Sequence, residues 1–169
     1  MARRLRPVDL DFVDTAPVRL EFDALVAASP ASVYRALAED VTGWPRWFRA
    51  ITLARPTHGG AGREIRLMGG VRFRETVMAA DPGRRYAYRV DETNVPGVRA
   101  LLEDWRLTPE PHPAAVETGT RIRWAFTADG PAAFRRALTV VRPGLGRSFR
   151  TAVRTLDGRI SAGRREAER

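Results

Sequence analysis

Residues 29–48 read SPASVYRALAEDVTGWPRWF, and this stretch decides how the rest of the chain is organised. Ser29 is a natural N-cap and Pro30 suits the first helical position, where a missing amide hydrogen costs nothing. Val33, Leu37 and Val41 then recur at helical spacing as one apolar stripe, so a short helix begins here. Gly43 and Pro45 break it. Trp44, Trp47 and Phe48 follow closely, more aromatic surface than a solvated connector carries, so the stretch closes one end of a core or pocket.

Working outward, residues 18–27 alternate, with Val18, Leu20, Phe22, Ala24 and Val26 on one face and Arg19, Glu21 and Asp23 on the other. That is a strand covered on one side. Beyond the helical stretch, residues 50–54 form a second strand. Residues 63–68 and 71–79 flank Gly69-Gly70, the signal of a hairpin with a two-residue loop. After the turn at Asp81-Pro82-Gly83 come strands over 84–90, 98–107 and 120–127, the last two separated by a polar loop at 109–119. The period then changes. Phe134, Leu138, Val141, Leu145, Phe149, Val153, Leu156 and Ile160 recur every three or four residues, which predicts a long amphipathic helix over 131–163. Arg142-Pro143-Gly144 should divide it into two segments in rough continuation, because proline lacks the amide the helix bond requires.

The predicted fold class is α+β: a curved antiparallel sheet of about seven strands wrapped around one long C-terminal helix, with short helices after the first strand. A sheet this wide, covered by one helix, curls around it and leaves an apolar cavity. With 169 residues and 44% hydrophobic content, the chain supports one domain. We expect an arm over 1–17, the domain over 18–163 and a tail over 164–169.

Composition narrows the chemistry. The absence of cysteine excludes disulfides, thiolate metal sites and a thiol nucleophile. His58 and His112 sit in Gly/Pro-rich turn sequence and read as loop residues, so neither a metal site nor a Ser-His-Asp triad is expected, and no cofactor is called for. No apolar run approaches the ~20 residues of a membrane span, and Asp9, Asp11 and Asp14 stand where a signal-peptide core would. The expectation is a cytoplasmic protein. The net charge of +9 comes from 29 basic residues, all arginine, a bias that a GC-rich bacterial genome explains. Interleaved acids such as Glu64, Asp91 and Asp104 make a solvated surface the better reading than a nucleic-acid partner. A homodimer is compatible with the sequence.

The order of elements carries a resemblance. SPASVYRALAEDVTGWPRWF after the first strand, RFRETV, DPGRRYAYRV, EDWRLTPE and GTRIRWAF together resemble the SRPBCC superfamily of START-type and birch-allergen-like proteins, in its polyketide cyclase/dehydrase branch. The resemblance covers roughly residues 18–160 and implies a helix-grip fold with a deep hydrophobic cavity between sheet and C-terminal helix. It does not name an occupant.

Strand phase nominates the cavity residues independently. Val71, Phe73, Glu75 and Val77 share a face, as do Leu101, Glu103, Trp105 and Leu107, so Glu75 and Glu103 point inward with their apolar neighbours. A buried carboxylate must be paired, hydrogen-bonded or protonated. Otherwise each sits near a strand end, reaches solvent or an arginine such as Arg99, or a bulge reverses its phase. The ligand-contacting candidates are Trp44, Trp47, Phe73, Glu75, Tyr88, Glu103, Trp105, Trp124, Phe134, Leu138 and Val141. Glu75, Glu103, Tyr86 and Tyr88 are the acid/base candidates. Three functions fit: a binder or carrier of a hydrophobic lipid, isoprenoid or polyketide-like molecule; a polyketide cyclase, aromatase or dehydratase using those acid/base groups; and an RNA or anionic-membrane binder acting through the arginine-bearing helix face. The first asks least of the sequence.

Overall fold

Alternating strands and turn chemistry build the sheet as expected. The computed structural model describes residues 2–115, 118–167 and 169; parts of the expected 1–17 arm, 109–119 loop and 164–169 tail thus lie outside the described residues. A two-residue strand β1 (Arg3–Arg4) and one helical turn α1 (Phe12–Thr15) precede β2 (Val18–Val26) and α2 (Pro30–Tyr34). Then follow β3 (Ile51–Thr57), β4 (Gly62–Leu67), β5 (Arg72–Asp81), β6 (Arg85–Thr93), β7 (Ala100–Glu110), β8 (Gly119–Asp129) and α3 (Ala132–Ala167). The long strands pair antiparallel in the order β2-β8-β7-β6-β5-β4-β3. Register shifts leave Thr52 on β3, Met78 on β5 and Asp91 on β6 as extra residues and bend these strands, which helps curl the sheet around α3.

β2 and β3 are the two edges of this sheet, and residues 27–50 carry the chain from one edge to the other. Ser29 caps α2 by accepting a hydrogen bond from the Ser32 amide at 3.3 Å, with Pro30 at the first position. Val33, Leu37 and Val41 are buried, as their spacing requires. The helix then widens into a π turn over Arg35–Glu39 and tightens into a 3-10 segment over Val41–Arg46. Trp44 Nε1 donates to the Leu37 carbonyl at 2.9 Å, and its ring lies 4.8 Å from Trp47 and 5.8 Å from Trp105. The aromatic stretch thus closes one end of the curled sheet.

The first residues complete the sheet where it splits. β6 and β7 part after the Arg89–Leu102 pair, and β1 takes the vacated edge of β6 through Arg3–Thr93 and Arg4–Glu92. Leu5 N donates to the Asp91 carbonyl and Arg6 N to the Arg99 carbonyl, both at 2.8 Å. Val8, Phe12 and Val13 pack on Ala100, Leu102 and Ala125, which alternation puts on the face away from α3.

Two local expectations change. The β4–β5 connection is a 3-10 turn over Met68–Gly70 rather than a two-residue loop, and Leu67 N donates to the Val71 carbonyl at 2.9 Å. Gly69 and Gly70 both have φ near 80°, a left-handed conformation that glycine adopts without a Cβ penalty. α3 is one continuous helix through Pro143 and runs on to Ala167, past the end of its periodic pattern. The proline is tolerated because it and Thr139 are exposed, so the carbonyl left without its amide partner can be hydrated.

α3 meets the sheet unevenly. Phe149, Ala152, Val153 and Leu156 in its second half are buried in the main core, whereas Leu138 is the buried large side chain of the first half. A Cβ on Gly146 would lie 2.9 Å from the Phe22 ring, so backbone and sheet approach closely there. At the start of the helix, a Cβ on Gly130 would lie 2.4 Å from Phe134, whose ring seats against Gly97. Between these points the helix stands off the sheet. Replacing Phe149 with alanine is expected to cost about 3–5 kcal/mol in urea unfolding. Pro143→Ala should stabilise by roughly 1–3 kcal/mol, since it restores an exposed helical hydrogen bond; a destabilising Pro143→Ala would contradict this account of the helix.

Candidate functional site

The stand-off of α3 leaves a cavity of about 400 Å³. Its walls are the inward faces of the strands: Ile65 and Leu67 on β4, Phe73 on β5, Leu101 on β7, and Trp124 and Phe126 on β8. Trp44 and Phe48 close one end, and Phe134, Leu138, Val141 and Leu145 form the α3 side. A larger groove of about 650 Å³ lies near the start of α2 and the end of α3, lined by small and polar residues such as Ser29, Ser32, Arg35 and Ser161. The smaller, apolar cavity is the better candidate, because ligand sites are enclosed mostly by apolar walls with a few convergent polar groups.

Those polar groups are Arg63, Glu75, Tyr88 and Glu103, at most 8% exposed. The register that pairs Arg63 with Glu75 across β4 and β5 sets both side chains inward, and Arg63 Nε donates to Glu75 Oε2 in a close buried ion pair. The guanidinium carbon lies 3.6 Å from the Tyr88 ring centre and 4.3 Å from that of Trp44, so the cation is held against two aromatic faces. Glu103 Oε2 accepts from the Tyr88 hydroxyl at 2.8 Å and from Trp124 Nε1 at 2.9 Å. Trp105 Nε1 donates to the Tyr88 hydroxyl at 3.0 Å. Arg63 Nη1 is buried and has no hydrogen-bond partner among the described residues.

Charge balance sets the protonation of this cluster. One guanidinium faces two carboxyls, so full ionisation would leave a net negative charge out of water. Burial raises the Glu75 pKa to about 7, opposed by Arg63 and reinforced by Glu103. Burial also raises Glu103, against the hydrogen bond from Tyr88 and the charge of Arg63. Tyr88 is pushed well above its ordinary value by burial and by Glu103. Burial works against the charge of Arg63, but Glu75 beside it overcomes this and keeps the guanidinium protonated. The two carboxyls are therefore coupled, and both hold their protons to higher pH than an exposed glutamate does.

The comparisons agree with this architecture. The profile of the family described as "Polyketide cyclase / dehydrase and lipid transport" matches residues 17–160. The chain belongs to that family. Among solved structures, XoxI from Bacillus cereus is 17% identical, with TM-score 0.67 over 85% of this chain and 95% of that one. A START superfamily protein from Mycobacterium smegmatis is 12% identical, with TM-score 0.63 over 85% of this chain and 97% of its own. The di-domain ARO/CYC BexL from the BE-7585A biosynthetic pathway is 19% identical with TM-score 0.64, and the match spans 85% of this chain and 46% of that one. At these identities the likeness is one of fold, and the fold is the helix-grip architecture of the SRPBCC superfamily. No curated protein sequence matches the chain. Among the described residues, no helix is long and apolar enough to cross a membrane.

Within this family fold, nine of the eleven ligand-contacting candidates line the cavity, namely Trp44, Phe73, Glu75, Tyr88, Glu103, Trp124, Phe134, Leu138 and Val141, while Trp47 and Trp105 do not. Trp47 is buried behind Trp44 and Phe48, and Trp105 is sealed by Trp44, Trp124 and Phe149, with centroids 5.8, 5.3 and 5.8 Å away. Tyr86, an acid/base candidate, is also off the wall: it is 2% exposed and lies 5.5 Å from the Tyr88 ring, next to Arg63. Arg63 was not a sequence candidate. Its signal was the phase of β4, where alternation with Ile65 and Leu67 turns it inward, opposite Glu75 across the hairpin.

A carboxyl whose folded pKa lies above its unfolded value keeps its proton longer in the native state, so it contributes stability below about pH 4.5 that is lost as pH rises through about 7. Stability in urea should therefore fall by on the order of 3 kcal/mol between about pH 5 and about pH 8. Glu103→Gln, which can still accept from Tyr88 and Trp124, should flatten this slope by leaving Glu75 paired one-to-one with Arg63. A wild-type slope that is flat or rises with pH would contradict the shared-proton cluster.

Proposed function

We propose that the protein binds a hydrophobic small molecule whose buried end carries an acceptor oxygen, such as the carbonyl of a polyketide-like, isoprenoid or lipid ligand. Arg63 Nη1 carries this reading: a charged donor, buried on an apolar cavity wall, with no acceptor among the described residues. Leaving such a donor unpaired is costly, and a ligand oxygen would satisfy it. The aromatic and aliphatic walls would hold the remainder of the molecule. At ~30 Å³ per water-sized group, the cavity accommodates roughly a dozen heavy atoms, the size of a two-ring aromatic ketone or a medium acyl chain.

The family description and the fold neighbours support hydrophobic ligand binding at this level. Proton transfer is the second reading, and the raised carboxyls favour it. A ketone held on Arg63 would be polarised, the adjacent C–H bond would give its proton to a glutamate carboxylate, and the developing enolate oxygen would face the guanidinium. Glu75 and Glu103 are then the bases, in the manner of a cyclase or dehydratase.

Quenching of the cavity tryptophans reports binding directly. Acetylnaphthalene should bind the wild type about tenfold more tightly than ethylnaphthalene, which has the same shape without the oxygen. Arg63→Met, and the charge-balanced Arg63→Met with Glu75→Gln, should remove that preference while ethylnaphthalene still binds. Equal affinities in the wild type would overturn the reading. If the cavity also moves protons, deuterium will enter the acetyl methyl group in heavy water and cease to do so in Glu75→Gln or Glu103→Gln; wild-type binding without exchange would leave a binder.

A further inference from the structure

The large apolar side chains most exposed on this molecule stand around one opening. Met68, at the β4–β5 tip, is 65% exposed, Val140 78% and Val141 48%. Leu67, Val71 and Val141 line the cavity, and Met68 and Val140 are the chain neighbours of Leu67 and Val141. Single exposed hydrophobics are ordinary, but a cluster around a cavity mouth marks an interaction surface.

The first half of α3 has the pattern of an interfacial helix. At 3.6 residues per turn, Phe134, Leu138, Val141 and Leu145 form the stripe that faces the cavity. Ala133, Ala137, Val140 and Gly144 form a second apolar stripe beside it, all exposed. Arg136 and Arg147 come next around the helix, and Arg135 and Arg142 border the cavity-facing stripe on the other side. Between Gly130 and Leu156 there is no acidic residue, and the facing segment 66–74, RLMGGVRFR, has three arginines and no acid. Arg72, Arg136, Arg142 and Arg147 make no ion pair among the described residues.

We propose that this mouth docks on an anionic membrane surface, with Met68 and Val140 entering the headgroup–acyl boundary and the arginines meeting lipid phosphates. The cavity then opens toward the bilayer. The charge distribution selects this occupant. A second copy paired through the same stripe would set arginine against arginine. A single-stranded nucleic acid would require exposed aromatic rings for base stacking, whereas the exposed side chains are aliphatic. Two apolar points on either side of an opening suit a deformable surface.

Co-sedimentation with vesicles tests this independently of what the cavity holds. At low salt, binding to phosphatidylcholine vesicles containing phosphatidylglycerol should be about tenfold or more tighter than to phosphatidylcholine alone, and it should weaken as salt rises. Met68→Ser and Val140→Ser should each weaken it about threefold, and Arg136→Gln about fivefold, with thermal unfolding and acetylnaphthalene affinity unchanged. Equal binding to both vesicle types, or variants without effect, would overturn the proposal. So would absent vesicle binding combined with a dimer that Val140→Ser dissociates, or with tight capture of an acidic protein at the same residues.

Discussion

A guanidinium buried against an apolar cavity must be neutralised, and that requirement organises the middle of this protein. Glu75 supplies the opposing charge from the neighbouring strand, and Tyr88 and Trp44 supply aromatic faces. Glu103 lies close enough to raise the Glu75 pKa, and it is itself held by Tyr88 and Trp124. Replacing such a cluster with aliphatic side chains would often be neutral or stabilising. Its presence is therefore better explained by what the cavity binds than by what the fold needs. Trp105 acts from behind: it cannot reach the cavity, yet its hydrogen bond fixes the hydroxyl that orients Glu103.

The cavity exists because the two halves of α3 do different work. Phe149, Val153 and Leu156 fill the curled sheet in the ordinary way, and Asp157 ties that half to the turn before α2 by accepting from the amides of Ala27 and Ala28. The first half rests on Phe134 at one end and approaches Phe22 at Gly146, with open space between. Its exposed face carries Pro143, which removes a helical hydrogen bond where water can compensate. A wide sheet, one helix and uneven packing along that helix thus yield both the core and the pocket.

Much of this was legible in the sequence. The cap at Ser29-Pro30, the stripe of Val33, Leu37 and Val41, the seven alternating strands and the long helical period follow from local rules, and each corresponds to an element of the structure. Glu75 keeps its inward phase because the nearby register shift skips Asp91 on β6 and leaves the alternation of β5 intact. The errors were of another kind. Trp47 and Trp105 have the right chemistry, but neighbouring rings cover them, and single-strand phase cannot report such coverage. The continuity of α3 through Pro143 depends on solvent exposure, a tertiary property. Arg63 went unnoticed because an arginine in an alternating strand ordinarily marks the solvent face, and its inward turn follows only when β4 is read in register with Glu75.

On the proposed reading, the orphaned Arg63 N–H receives a ligand oxygen at the floor of the cavity. A crystal structure of the wild type with acetylnaphthalene bound would locate that oxygen. The ring system is expected among Phe73, Trp124 and Leu138, with the carbonyl oxygen within hydrogen-bonding distance of Arg63 Nη1. A ligand whose oxygen points to the mouth between Met68 and Val141, or which sits in the polar groove near Ser161, would contradict it.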